Sequence, residues 1–205
     1  MTHPLLSGLA SGQGLLATDP AAGRQALTEL WEGLDSSDAA ARCILGHFLA
    51  DAQDDLDDEI AWDKMSLVES AKTSDDELRA IHPAMRLAGF MSSLHLNLAD
   101  GYRRLGRFEL AGRHLKSSLD GNSALNGDEP DEIAYRDLII TGQQRVAAAI
   151  EAGGIRLDSR PTSRHRVVGQ LERVGHPDHV AHQPLLLTPE RRSVCWLNAS
   201  GLSDR

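Results

Sequence analysis

Apolar residues recur along much of this chain at the three-and-four spacing of amphipathic helices. The clearest run is Leu94–Leu119. Leu94, Leu98, Tyr102 and Leu105 make one stripe, at i, i+4, i+8 and i+11. Gly106 then supplies a stop, because glycine takes the left-handed conformation at no steric cost. Phe108, Ala111 and Leu115 start a second apolar face almost at once. So short a connection makes the two helices antiparallel neighbours, with the small Ala99 at their closest approach.

The same pattern extends in both directions. Thr18-Asp19-Pro20 reads as a helix start, and Leu27, Leu30, Trp31 and Leu34 give its inner face. Ser36-Ser37-Asp38 caps a helix striped by Ala41, Ile44, Leu45, Phe48, Leu49 and Ala52. The acidic run Asp54–Glu59 leads into another, with Ile60, Ala61, Met65, Val68 and Ala71 as its apolar positions. Ser74–Glu77 is a capping box for a short helix ending near His82, and Pro83 opens the long helix of the central run. Residues 120–128 read as a loop. Pro130 starts a last helix carrying Ile133, Tyr135, Leu138, Ile139, Val146 and Ile150, which Gly153-Gly154 is expected to stop. Ser-Gly pairs break up residues 1–18, which are expected to be a loose arm. No helical period of useful length appears in residues 154–205, where four of the eight prolines fall. The organisation expected is therefore an N-terminal arm (1–18), an all-α domain (19–153) and an irregular basic tail (154–205).

The central run resembles the tetratricopeptide repeat (TPR). The family pattern of Trp, Leu-Gly, Tyr, Ala and Phe is matched at His95, Leu98-Ala99, Tyr102, Ala111 and Leu115, with Asn97, Leu105-Gly106 and Phe108 as further matches around the turn. His95 departs from the family Trp, and Ser123 stands where a Pro closes the repeat. Leu45-Gly46 suggests a more divergent earlier copy. The stretch Gly89–Gly106 is also similar to small TPR-type proteins of actinobacteria. The resemblance implies antiparallel hairpins stacked as an α-α superhelix, since single repeats cannot bury a core alone. It also implies a concave groove that receives a peptide. By the repeat match, that groove would be lined by Cys43, His47 and Asp51 on one helix, and by Ser93, Leu96, Asn97, Asp100, Arg103 and Arg104 on the next. Cys43 and His47 stand where two residues of the family's carboxylate clamp would be, which argues against that specific activity.

Charge and chemistry narrow the functions. The chain's formal net charge is −9. Residues 154–205 hold eight Lys or Arg against five Asp or Glu, a net of +3, which leaves −12 on the remainder. So acidic a body argues against nucleic acid as a partner, because phosphate must be neutralised. No apolar run approaches the roughly 20 residues of a membrane span, and no basic start suggests a targeting segment. Cys43 and Cys195 form no disulfide or zinc pattern, and fit a reducing cytoplasm. No phosphate loop, nucleophile elbow or His-Glu-x-x-His is present. Cys43, His47 and Asp51 share one helix face at a spacing that can tune a thiolate or hold a metal, and His176, His179 and His182 recur every third residue. Both patterns also arise on ordinary polar faces. The expectation is a protein- or peptide-binding scaffold with no catalysis and no cofactor. The alternative is a regulatory domain that holds a small ligand between its helices.

Overall fold

The computed structural model describes residues 3–158, with side chains to residue 153; what the sequence suggests for 159–205, including the His176, His179 and His182 pattern, lies outside them. The described residues are all-helical. In chain order they form α1 (Pro4–Leu16), α2 (Pro20–Glu32), α3 (Ala39–Asp51), α4 (Leu56–Ser70), α5 (Asp75–Ile81), α6 (Leu87–Arg104), α7 (Phe108–Asp120) and α8 (Pro130–Asp158), with a single 3-10 turn at Asn122–Ala124. Sequential neighbours pack most closely: α1 on α2, α3 on α4, and α6 on α7. Helix α6 also contacts α4 and α8, so it lies between the two halves of the chain. No helix among the described residues is long and apolar enough to cross a membrane.

Most helix ends follow local chemistry. Asp19 accepts from Ala22 N and Asp38 from Ala41 N, while Asp55 accepts from Asp57 N and Asp58 N. Ser74 and Glu77 form the reciprocal capping box. Gly106 has φ +71°, and Arg107 N donates to Tyr102 O beside it at 2.8 Å, which ends α6 and turns the chain into α7. One buried cluster runs from Leu5 and Leu9 through Leu27, Ile44, Phe48, Leu94 and Ile139 to Val146. A smaller one joins Ile60, Leu98, Tyr102 and Ala111. The α6–α7 contact is also clasped by serines: Ser92 Oγ donates to Ser118 O at 3.0 Å, and Ser118 Oγ donates to Ser92 O at 2.8 Å.

Four expectations are corrected. Residues 4–16 are a helix rather than a loose arm, and Leu5, Leu6 and Leu9 on it are buried. Gly12 of α1 and Gly23 of α2 act as close-approach points instead of breakers: a Cβ on Gly12 would meet Leu27 Cδ2 at 2.5 Å, and one on Gly23 would meet Leu16 N at 2.5 Å. Helix α6 begins at Leu87, four residues after Pro83, because His82–Arg86 form a turn in which Arg86 Nη1 donates to Pro83 O and Met85 O. Helix α8 runs through Gly153-Gly154 to Asp158. The fourth correction concerns α4. Its expected inner residues Met65 and Val68 are 40% and 55% exposed, while Asp63, Ser66, Glu69 and Ser70 face inward beside Ile60.

Candidate functional site

The inward polar face of α4 meets α3 and α6 in a buried hydrogen-bonded seam. His47 of α3 lies at its centre, with Asp63 of α4 on one side and Ser93 of α6 on the other; the three are 0%, 1% and 0% exposed. His47 Nδ1 is 3.1 Å from Asp63 Oδ1, and Nε2 is 3.1 Å from Ser93 Oγ. Protonated, the ring donates from Nδ1–H to the carboxylate and from Nε2–H to the serine oxygen; neutral, it keeps the Nδ1–H and Nε2 accepts from the serine hydroxyl. Phe90 meets the imidazole edge-on, with ring centroids 5.4 Å apart. Further along, Ser66 Oγ donates to Cys43 O at 2.6 Å. Gly46 lies opposite Ser66, where an added Cβ would be in ordinary van der Waals contact, 3.4 Å from the Ser66 backbone nitrogen.

Burial and pairing set the ionisation of these groups. Burial opposes a charge on His47, yet the hydrogen bond and charge of Asp63, with Asp51 beyond, hold its pKa above the ordinary histidine value. Burial raises Asp63, against the lowering effects of His47, Asn97 and Arg104. Its second oxygen, Oδ2, has no hydrogen-bond partner among the described residues. The pair therefore retains a shared proton more firmly than either group would alone. Burial pushes the Cys43 thiol up to about 12, with Ser66 opposing. Cys43 is an inert core residue, and the thiolate suggested by its spacing to His47 is excluded. Nor do Cys43, His47 and Asp51 converge on a metal: no group of three such ligands occurs among the described residues.

The seam reaches the surface through charged residues. Arg104 pairs with Glu59 of α4 and lies with Nε 3.0 Å from Asp100 Oδ2. That second contact is one of charge alone, because the Nε–H makes no hydrogen bond. Arg103 Nε donates to Asp100 Oδ1 at 2.8 Å. Burial raises the Glu59 pKa, although Arg104 pulls it back. Of the nine residues expected to line a groove, Cys43, His47, Ser93 and Leu96 are buried and offer no surface to a peptide. Asp51, Asn97, Asp100, Arg103 and Arg104 are partly exposed. Sequence reasoning missed Glu59, Asp63 and Ser66, which complete the seam. They recur at i, i+4 and i+7 on α4, and that helical period was the available signal.

Ser93, His47 and Asp63 follow the chemical order of a nucleophile, a base and an orienting acid. Their burial leaves no approach for a substrate, and neither of two surface concavities includes them. The first concavity, about 140 Å³, lies between the start of α6 and α8. The second, about 540 Å³ and more open, follows α2 from Ala21 to Glu32 and includes Asp54. His95, which stands at the family Trp position, places Nδ1 3.0 Å from His114 Nδ1, and His114 stacks on Tyr102 with centroids 5.4 Å apart. No protein-family model, no curated protein and no solved structure matches the chain.

Proposed function

We propose that the chain is a TPR-like module, its helices stacked as hairpins, that binds a protein or peptide partner without catalysis. The observation that carries this reading is the charged, partly exposed end of the seam, where Glu59, Asp100, Arg103 and Arg104 converge from α4 and α6. Carboxylates of the chain itself hold both arginines there, at spacings a partner's carboxylate can contest. Guanidinium recognises that group through parallel, charge-assisted bonds. The buried His47–Asp63–Ser93 part of the seam fixes how α3, α4 and α6 pack beneath this surface. Binding then needs no cofactor.

Affinity capture with the full chain, followed by direct titration of each captured partner, tests the reading. Arg103→Ala is the cleaner probe, because Arg104→Ala also strips Glu59 of its ion-pair partner. Arg103→Ala should weaken a genuine partner by about 1.5–3 kcal/mol, the range for a hydrogen bond to a charged group. Arg113→Ala, an exposed residue of α7, should change little. Equal affinity of parent and Arg103→Ala for every captured partner would sink this surface as the contact. The alternative reading, a small ligand held between helices, is favoured by the 140 Å³ cavity beside α6.

A further inference from the structure

The small-ligand reading places its ligand in the cavity between the start of α6 and α8. Met85, Phe90, Leu125 and Tyr135, all buried, supply its apolar and aromatic walls. Arg86 and Glu132 supply charges of opposite sign in the same lining. A cavity of about 150 Å³ accepts a benzene-sized guest, so 140 Å³ suits one aromatic ring or a branched aliphatic group. The Tyr135 hydroxyl donates to Gly89 O at 3.3 Å, which ties α8 to α6 across the cavity wall.

Both charged groups are held in place. Among the described residues, Arg86 spends only Nη1 on the carbonyls of Pro83 and Met85, at 2.7 and 2.8 Å, out of five guanidinium donors. It is also the residue preceding α6, at whose start Asp75 Oδ1 accepts from Leu87 N at 2.7 Å. Glu132 accepts from Glu129 N at 3.2 Å and lies over Gly127, where a Cβ would meet its carboxylate at 2.2 Å. A recess of mixed lining, with apolar and aromatic walls beside one cation and one anion, matches a molecule with an apolar body and a zwitterionic head.

We propose that this cavity binds a free α-amino acid with an aromatic or branched aliphatic side chain. The side chain enters among Met85, Phe90, Leu125 and Tyr135, the carboxylate faces Arg86, and the ammonium faces Glu132. The proposal rests on the small-ligand reading and adds the ligand's chemical class.

Calorimetric titration of the full chain tests it, with L-phenylalanine, L-leucine, L-phenylalaninamide, N-acetyl-L-phenylalanine and toluene as probes. One of the free amino acids should bind saturably. The amide, lacking the carboxylate, and the N-acetyl form, lacking the ammonium, should each bind at least about tenfold more weakly. Arg86→Gln should weaken the amino acid by a similar factor while leaving the amide unchanged, a difference that a general loss of structure would not produce. Equal binding of the amino acid, its amide and its N-acetyl form overturns the proposal. Binding of toluene alone overturns the amino-acid class but keeps the small-ligand reading. Binding of no probe, toluene included, overturns both.

Discussion

His47 shows how much one buried side chain decides. It joins three helices through two ring nitrogens, so removing either partner leaves a polar atom stranded. Ser93→Ala should destabilise by about 1–3 kcal/mol in urea unfolding, the cost of an unsatisfied buried group. Asp63→Ala should cost more, about 3–5 kcal/mol, because it uncouples a buried ion pair. An unchanged midpoint for both variants would mean that the seam does not hold the helices. The pH dependence has a definite sign. The His47 pKa is raised in the folded chain above 6.5, so its contribution is complete below about that pH and is lost as pH rises through the folded value. His114 works oppositely. Burial, helped by His95, Arg113 and Lys64, lowers it to about 4, so its contribution is present above 6.5 and is lost as pH falls towards 4. The parent profile mixes the two. The stability difference between parent and the double variant His47→Gln, Asp63→Asn isolates the buried pair, and it should shrink between pH 6 and pH 9. A difference that grows over that range would contradict the proton assignment.

Among the elements, what the sequence made legible was whatever is decided locally. The caps at Asp19, Asp38 and Ser74 and the stop at Gly106 depend on a few adjacent residues, so they could be read directly. Helix α1 could not, because Gly12 matters through its distance to Leu27 on another helix, which no local window contains. Helix α4 carries two stripes at helical period. The apolar one, Ala61, Met65 and Val68, suggested the core, yet the polar one, Glu59, Asp63 and Ser66, is turned inward. The same inversion hid half of the site: the groove reading puts His47, Ser93 and Asn97 on one open surface and omits Asp63, whereas His47 and Ser93 are buried and His47 is paired with Asp63. Helix α1 gives the sharpest test at this scale. Leu9→Ala should cost about 2–5 kcal/mol, as for other buried leucines, although a loose arm would make it silent. Gly23→Ala should cost about 1–3 kcal/mol by overpacking against the Leu16 backbone. If both unfolded at the parent midpoint, α1 would not belong to the core.

Across the whole molecule, the question is whether stacked helices unfold together or piece by piece. Repeat arrays are held by nearest-neighbour contacts, and long ones lose cooperativity. Here the main apolar cluster is continuous from Leu5 of α1 to Val146 of α8, and the seam ties α3, α4 and α6 across the middle. Both features couple the two ends, so the domain should unfold in one transition. The chain carries its own reporter of one region: Trp31 of α2 meets Trp62 of α4 edge-on, with centroids 4.9 Å apart, and the Arg42 guanidinium lies 3.9 Å above the Trp31 ring. Their fluorescence follows the α2–α4 region, provided that the third tryptophan, Trp196, is replaced by Phe. Far-UV circular dichroism follows every helix, with long α8 a large part of the signal. In urea the two signals should therefore give the same midpoint and the same slope. Weakening the seam is the natural way to separate them, since losing the Asp63 carboxylate removes the polar link between α3 and α4. In the Asp63→Ala background the fluorescence transition should move to lower urea ahead of the dichroism. Coincident curves in that variant as well would assign the coupling to the apolar cluster alone.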